Sequence, residues 1–273
     1  MSVVVDGAIG ESAPAKLNLA LHVRGRLPDG RHALETIFAF CVDGDRLMAA
    51  AADGVSLTLD GPFAGGLSND DDNLVLRAAR SLAAEADVVR GAALRLTKNL
   101  PVASGLGGGS ADAAATLRLL TRLWEIDPAH ASAVAPGLGS DVPACLLSMT
   151  ARGEGAGDRL ALIDAGVAGV PVLLVNPLVA LSTGAVFAGW DGVDRGVLGN
   201  WREGRNDLEG PARALVPAIG DVLDWLGAQA GVSVARMSGS GATCFALFAD
   251  EDARDGAAAT VPLAWWHLAS TLR

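Results

Sequence analysis

Tyrosine is absent from this 273-residue sequence, and cysteine occurs only three times. Cys41, Cys145 and Cys244 are far apart and lack the close pairs typical of zinc ligands, so neither a disulfide framework nor a zinc site is expected. We interpret them as buried thiols in a reducing compartment, which predicts a cytoplasmic location. A secretory segment is not expected, because Asp6 and Glu11 precede the first apolar stretch.

Long apolar runs and basic charge are also scarce. Runs such as 170–175 and 261–266 are far shorter than the roughly 20 residues that span a bilayer, which predicts no membrane segment. The chain has 21 basic and 31 acidic residues, a net charge of −10, which opposes binding to nucleic acid or an anionic membrane. A local basic pocket for a phosphate is compatible with this balance, and the sequence carries no indication of an oligomeric state.

Several segments have the periodicity of strands or helices. Residues 12–23 alternate in the manner of a strand, with Lys16, Asn18 and His22 on the face opposite the leucines. Helices are predicted over 73–86, 110–124 and 221–229, and a further helix starts near Pro143. Extended segments are predicted at the remaining apolar stretches, namely 32–40 (extended or partly helical), 55–59, 94–96, 170–175 and 243–248.

A domain boundary is predicted near residue 155. The segment 153–157 is rich in glycine and has no hydrophobic periodicity, which is typical of a connection between domains. We therefore expect two domains, 1–155 and 156–273. A hydrophobic content of 51% predicts that the chain buries a substantial core.

The segment 101–115 is the most informative part of the sequence. Glycines allow a backbone to bend closely around an anion, and the helix that follows presents unpaired N–H groups. The segment lacks the lysine and hydroxyl residue of a Walker loop and the spacing of a dinucleotide fingerprint. A flexible connection is the alternative. The predicted ATP-binding residues are Pro101, Val102, Ala103, Ser104, Gly105, Leu106, Gly107, Gly108, Gly109, Ser110 and Ala111.

The string Pro-x-x-x-Gly-Leu-Gly-Gly-Gly-Ser-x-Asp-Ala-Ala resembles the ATP loop of the GHMP kinases, especially of their diphosphocytidyl-methylerythritol branch. Further motifs occur in the same order as in that family and extend over nearly the whole chain. They are Pro14-Ala-Lys-Leu-Asn-Leu19, Pro28-Asp-Gly-Arg-His32, Leu138-Gly-Ser-Asp-Val-Pro143, Arg205-Asn-Asp-Leu-Glu209 and Met237-Ser-Gly-Ser-Gly-Ala242.

The resemblance implies an α+β fold with an N-terminal nucleotide-loop domain and a C-terminal ferredoxin-like domain. It implies an ATP-dependent kinase that phosphorylates the 2-hydroxyl of 4-diphosphocytidyl-2-C-methyl-D-erythritol in non-mevalonate isoprenoid biosynthesis. Another GHMP kinase, of the homoserine or mevalonate type, is the nearest alternative. A non-catalytic nucleotide-binding protein is a second alternative, which the joint presence of Lys16 and Asp141 opposes.

The resemblance also implies which residues perform the chemistry. Phosphoryl transfer requires an oriented nucleophile and neutralisation of the charge on the phosphoryl oxygens. Asp141 corresponds to the catalytic aspartate, and Lys16 to the active-site lysine. Read alone, Asp141 is equally a helix-capping residue and Lys16 a solvated lysine. Mg²⁺ is expected with ATP, with Ser110 as a weak candidate ligand and Asp112, which also suits a helix N-terminus, as a second.

Substrate recognition is assigned to residues on the same motifs. His32 resembles the histidine that hydrogen-bonds cytosine, Phe187 the aromatic residue stacked on the base, and Asn18 a contact to the substrate hydroxyl. Arg31 stands where the family usually has tyrosine, and its guanidinium plane can stack on a base instead. Gly239, Ser240 and Gly241 are expected to approach the substrate diphosphate or the ATP loop, with a plain tight turn as the alternative.

Overall fold

The computed structural model describes residues 7–273, so Asp6 lies outside it. The chain forms ten strands and eight helices over these residues. In chain order they are β1 (Ile9–Arg26), β2 (His32–Ala52), β3 (Val55–Asp60), α1 (Leu74–Glu85), β4 (Gly91–Thr97), α2 (Gly108–Trp124), α3 (Pro128–Leu138), α4 (Val142–Leu147), β5 (Ala151–Gly155), β6 (Arg159–Leu162), β7 (Pro171–Asn176), α5 (Thr183–Ala188), α6 (Glu209–Leu215), α7 (Ala218–Gly227), β8 (Val232–Met237), β9 (Cys244–Phe248), α8 (Glu251–Ala258) and β10 (Trp266–Thr271).

The chain divides into two compact units that are discontinuous in sequence. Unit 1 contains residues 7–15, 43–102 and 108–148, and unit 2 contains 16–42, 103–107 and 149–273. The long strands β1 and β2 pair with each other and each passes from one unit to the other. The division near residue 155 stays a prediction about the sequence domains, since unit 2 also includes two segments that precede it in the chain.

Unit 1 is a small sheet covered by helices. β3 and β4 are parallel, with Leu57 opposite Leu94, and α1 forms the crossover between them. The second half of β2 pairs antiparallel with β4. The side chain of Asn73 caps α1 by accepting the N–H of Val75. The helix therefore begins at Leu74, one residue later than predicted. The core helix α2 is apolar on nearly every side, in agreement with its run of alanines and leucines.

Unit 2 contains a four-stranded antiparallel sheet in the order β10-β7-β9-β8. Its connectivity is strand, helices, two strands, helix, strand, which is the ferredoxin-like arrangement. Apolar side chains of β7 and β9 pack with α5, α6 and α7 to form the core, which includes Leu173, Val175, Ile219, Val222 and Phe248. The first half of β2 pairs with β5, and β5 pairs with β6.

The elements differ from the sequence prediction in identifiable ways. The segment 32–40 is entirely strand and continues to Ala52, and α7 begins at Ala218 instead of residue 221. Helix α3 was not predicted, although Asp127 caps it and Pro128 occupies its first turn, because Pro136 interrupts its pattern. Among residues 7–273, no helix has both the length and the apolar character needed to cross a bilayer.

Candidate active site

The loop segment 103–107 is held to the rest of unit 2 through its carbonyl groups. Three successive carbonyls each accept one hydrogen bond, in the pairs Ser104 O from Thr243 N (3.0 Å), Gly105 O from Ser238 Oγ (3.1 Å) and Leu106 O from Lys16 N (2.9 Å). The carbonyl of a trans peptide points opposite to the N–H that follows it. The amides of residues 105–107 therefore point away from these donors, as in a backbone cradle for an anion.

Gly105 makes the closest contact in this loop. Its φ is +80°, and a Cβ atom built on it would lie 2.5 Å from Ser238 O and 2.7 Å from Gly241 O. A built Cβ on Gly239 would in turn lie 3.0 Å from Gly105 O. Two glycine-containing loops thus approach each other backbone to backbone, and side chains at these positions would separate them.

The remaining predicted ATP-binding residues belong to unit 1. Pro101 is buried and Val102 is exposed, and the first turn of α2 is formed by Gly108, Gly109, Ser110 and Ala111. The N–H groups of a first helical turn have no partner within the helix and favour anions. Ser110 Oγ lies beside the turn that leads to α4, 4.0 Å from a Cβ built on Gly139.

A buried ion cluster lies at the start of α2. Lys98 donates from Nζ to Asp45 and to Asp112 Oδ2 (2.7 Å), and Asp45 Oδ1 also accepts the N–H groups of Asn99 and Leu100. Burial raises the pKa of Asp112 to about 7, although the Lys98 ammonium acts in the opposite direction. The pairing uses only one carboxylate oxygen, since Asp112 Oδ1 is buried and has no hydrogen-bond partner among residues 7–273. Its suggested role as a metal ligand stays a prediction.

Lys16 and Asn18 lie on β1 in unit 2 and are both buried, so the polar face of this strand is not solvated as the sequence alone suggested. Lys16 Nζ donates to Asn18 Oδ1 at 2.8 Å and lies 5.5 Å from the centre of the Phe38 ring. Asn18 Nδ2 donates to Thr36 Oγ1 at 2.8 Å. A buried ammonium is costly unless it is paired, and these contacts hold it in place.

Asp141 stands at the N-terminal end of α4 in unit 1. Its backbone carbonyl accepts the N–H of Cys145, but its side chain makes no capping hydrogen bond to the helix. Pro143 occupies the first turn, as the sequence predicted. The capping interpretation of Asp141 therefore does not describe its carboxylate, which is half-buried.

The predicted base-recognition residues His32 and Phe187 are in contact within unit 2. Their ring centres are 4.8 Å apart, and Trp190 meets His32 edge-on at 5.6 Å. His32 Nε2 is buried and has no hydrogen-bond partner among residues 7–273. Burial lowers the pKa of His32, so the ring is neutral at pH 7 and can offer one donor and one acceptor.

Arg31 points elsewhere in this conformation. Its guanidinium pairs with Asp29 (2.8 Å) and Asp158 (3.3 Å), and all three side chains are exposed. Exposed pairs of this kind are weak because water screens them, so they do not prevent the guanidinium from turning toward a bound base.

The loop 238–241 is tied to two side chains that the sequence analysis did not select. Ser240 Oγ shares a hydrogen bond with Thr183 Oγ1 (2.9 Å), and Asn206 Nδ2 donates to Met237 O and Gly239 O (both 2.8 Å). Asn206 lies in the Arg205–Glu209 motif, which was a usable signal. No sequence motif pointed to Thr36, Thr183 or Trp190 as site residues. Trp190 follows Phe187 by three residues, a helical spacing that was the one available indication.

Comparisons with known proteins identify the family. Residues 73–149 match the family described as GHMP kinases N terminal domain, and residues 190–265 match GHMP kinases C terminal. A protein of Rhizorhabdus wittichii named 4-diphosphocytidyl-2-C-methyl-D-erythritol kinase is 55% identical over 277 residues, covering 96% of this chain and 94% of its own. A protein of Novosphingobium aromaticivorans with the same name is 50% identical, covering 97% and 93%.

Solved structures show the same fold. A crystal structure of 4-(cytidine 5'-diphospho)-2C-methyl-D-erythritol kinase superposes with a TM-score of 0.82 at 33% identity, covering 97% of this chain and 99% of that one. A homoserine kinase from Cytophaga hutchinsonii, at 19% identity and a TM-score of 0.72, shares the fold, with coverage of 100% and 96%. The predicted α+β fold and family are thereby confirmed. The chain belongs to the GHMP kinases and, within them, to the family of the 4-diphosphocytidyl-2-C-methyl-D-erythritol kinases.

Proposed function

We propose that this protein transfers the γ-phosphoryl group of ATP to the 2-hydroxyl of 4-diphosphocytidyl-2-C-methyl-D-erythritol, in non-mevalonate isoprenoid biosynthesis. The identity to relatives of that name over nearly the whole chain is the observation that carries this proposal. The neutral, half-buried His32 with an unpartnered ring nitrogen supports a cytosine-containing substrate, because a base edge supplies the missing partner.

ATP is the co-substrate of a GHMP kinase, and the loop 101–111 is the proposed site of its phosphates. The amides of 105–107 and the first turn of α2 provide N–H donors for phosphate oxygens. Mg²⁺ bound to ATP neutralises charge on the phosphate oxygens and needs few protein ligands. The Ser110 hydroxyl is the oxygen donor proposed to hold it. Among residues 7–273, no group of three or more His, Cys, Asp or Glu side chains could hold a metal alone.

Asp141 and Lys16 are the proposed catalytic residues. Asp141 orients the 2-hydroxyl and accepts its proton as the oxygen attacks the γ-phosphorus, a role that a carboxylate not engaged in capping its helix can perform. The Lys16 ammonium stabilises charge on the transferring group.

Substrate specificity is proposed to reside in unit 2. His32 hydrogen-bonds the cytosine edge, Phe187 and Arg31 pack on the base, and the backbone of 239–241 approaches the diphosphate. Asn18 lies beside the reacting hydroxyl. The buried cysteine thiols Cys41, Cys145 and Cys244 support a reducing, cytoplasmic location.

The test is an ATP-consumption assay on the purified protein with 4-diphosphocytidyl-2-C-methyl-D-erythritol, homoserine and mevalonate in parallel. We expect turnover with the first substrate only, and loss of turnover when EDTA removes the metal, restored by excess Mg²⁺. Turnover with homoserine or mevalonate alone would overturn the substrate assignment. ATP binding without turnover of any of the three would favour a non-catalytic nucleotide-binding protein.

A further inference from the structure

Thr36 lies at the end of a chain of three buried hydrogen bonds that begins at Lys16. Lys16 Nζ donates to Asn18 Oδ1 (2.8 Å), Asn18 Nδ2 donates to Thr36 Oγ1 (2.8 Å), and Thr36 Oγ1 donates to Ala20 O (2.7 Å). The side chains are almost completely shielded, with 3%, 3% and 0% exposure for Lys16, Asn18 and Thr36.

The direction of every bond in the chain follows from its two ends. A carbonyl can only accept, so the single hydroxyl proton of Thr36 is committed to Ala20 O. Thr36 Oγ1 must then accept from Asn18, which places the amide nitrogen of Asn18 toward Thr36 and its oxygen toward Lys16. The reverse amide orientation would set an NH₂ group against the ammonium, which has no lone pair to accept with.

We propose that Thr36 is a positioning residue for phosphoryl transfer: it fixes the amide orientation of Asn18, which fixes the ammonium of Lys16. This rests on the proposed function, because the chemical role of Lys16 comes from it. Thr36 is 0% exposed and its hydroxyl proton is committed to Ala20 O, so its side chain does not reach a ligand directly. Its effect on the reaction therefore passes entirely through Asn18 and Lys16.

Two substitutions separate positioning from packing. Thr36→Val keeps the branched shape and the strand preference of threonine but removes the hydroxyl. Thr36→Ser keeps the hydroxyl but removes a buried methyl group, so it perturbs packing more. We expect the valine variant to lose kcat by roughly 10-fold to 100-fold with the KM for ATP nearly unchanged, since a buried hydrogen-bonded network to a charge is broken. The serine variant should stay within about 3-fold of wild type.

Crystal structures of both variants give a readout that needs no substrate. The Lys16 Nζ to Asn18 Oδ1 contact should persist in Thr36→Ser and be lost in Thr36→Val, with the amide of Asn18 turned away. Retention of that contact in the valine variant, or a serine variant slower than the valine variant, would overturn the positioning role. A wild-type protein without turnover would defeat the proposed function instead, and the crystallographic comparison would still decide whether Thr36 orients Lys16.

Discussion

Replacing Gly105 with alanine tests whether the contact between the ATP loop and the loop 238–241 is needed for nucleotide binding. The new Cβ would lie 2.5 Å and 2.7 Å from the backbone oxygens of Ser238 and Gly241, neither of which is the movable end of a side chain. Gly105 also has φ +80°, which costs an L-residue about 1–2 kcal/mol. One of the two loops must therefore move.

Gly192 provides a matched control for this substitution. It has the same φ of +80°, but a Cβ built on it meets nothing within 4 Å. Gly192→Ala therefore introduces the same backbone strain without a collision between the new Cβ and other atoms. The lower conformational entropy of the unfolded chain offsets this strain by about 0.4–1 kcal/mol in the free energy of unfolding. The collision in Gly105→Ala should cost a further 1–3 kcal/mol or so, as overpacking typically does.

Thermal unfolding and calorimetric titration with ATP measure the two effects. Gly105→Ala should unfold below Gly192→Ala by roughly 2–4 °C for each kcal/mol of additional strain. Its dissociation constant for ATP should rise about 10-fold or more, because displacement of the anchored carbonyls 104–106 turns the amides of 105–107 out of position. The reasoning is refuted if the two variants have the same midpoint and the same ATP affinity.

Three further predictions concern single side chains. Asp141→Asn should nearly abolish kcat with ATP binding and thermal midpoint largely intact, because it removes the proton acceptor and keeps the shape; near-normal turnover in a steady-state assay excludes the proposed role. Arg31→Ala should raise the substrate KM by roughly 10-fold to 100-fold with little change in kcat, and Arg31→Tyr should recover much of the affinity. An alanine variant with wild-type kinetics would contradict the stacking hypothesis. The pKa of Asp112 is raised from 3.8 to about 7 in the folded protein. Between these pH values the folded protein keeps a proton on Asp112 that the unfolded chain releases. The contribution of Asp112 to the free energy of unfolding therefore falls as pH rises from 3.8 to about 7. Thermal midpoints of Asp112→Asn and wild type should diverge in favour of the variant across that interval, and a constant difference contradicts the raised pKa.

Local patterns in the sequence were sufficient to predict several elements and the family. The alternation in 12–23 appears as β1, the alanine and leucine run as α2, and Pro143 lies in the first turn of α4. These features depend on neighbours within a few residues, so a sequence pattern is a sound guide to them. The glycine loop was identified by its full motif, because glycine content alone did not distinguish a phosphate cradle from a flexible connection.

Which polar side chains are buried, and with which partners, depends in contrast on the tertiary structure. Read without the family, Lys16 could be a solvated lysine, yet Lys16 and Asn18 are both buried. Asp112 was a candidate metal contact or a helix-terminus acid, but it forms an internal ion cluster with Asp45 of β2 and Lys98, the residue after β4. The pairing of Asn18 with Thr36 joins adjacent strands at a register that no local pattern encodes. The motifs were enough to recognise the family and the polar residues available for chemistry. Which of these residues are buried together depends on the fold, because the cost of burying a charge depends on partners from distant parts of the sequence.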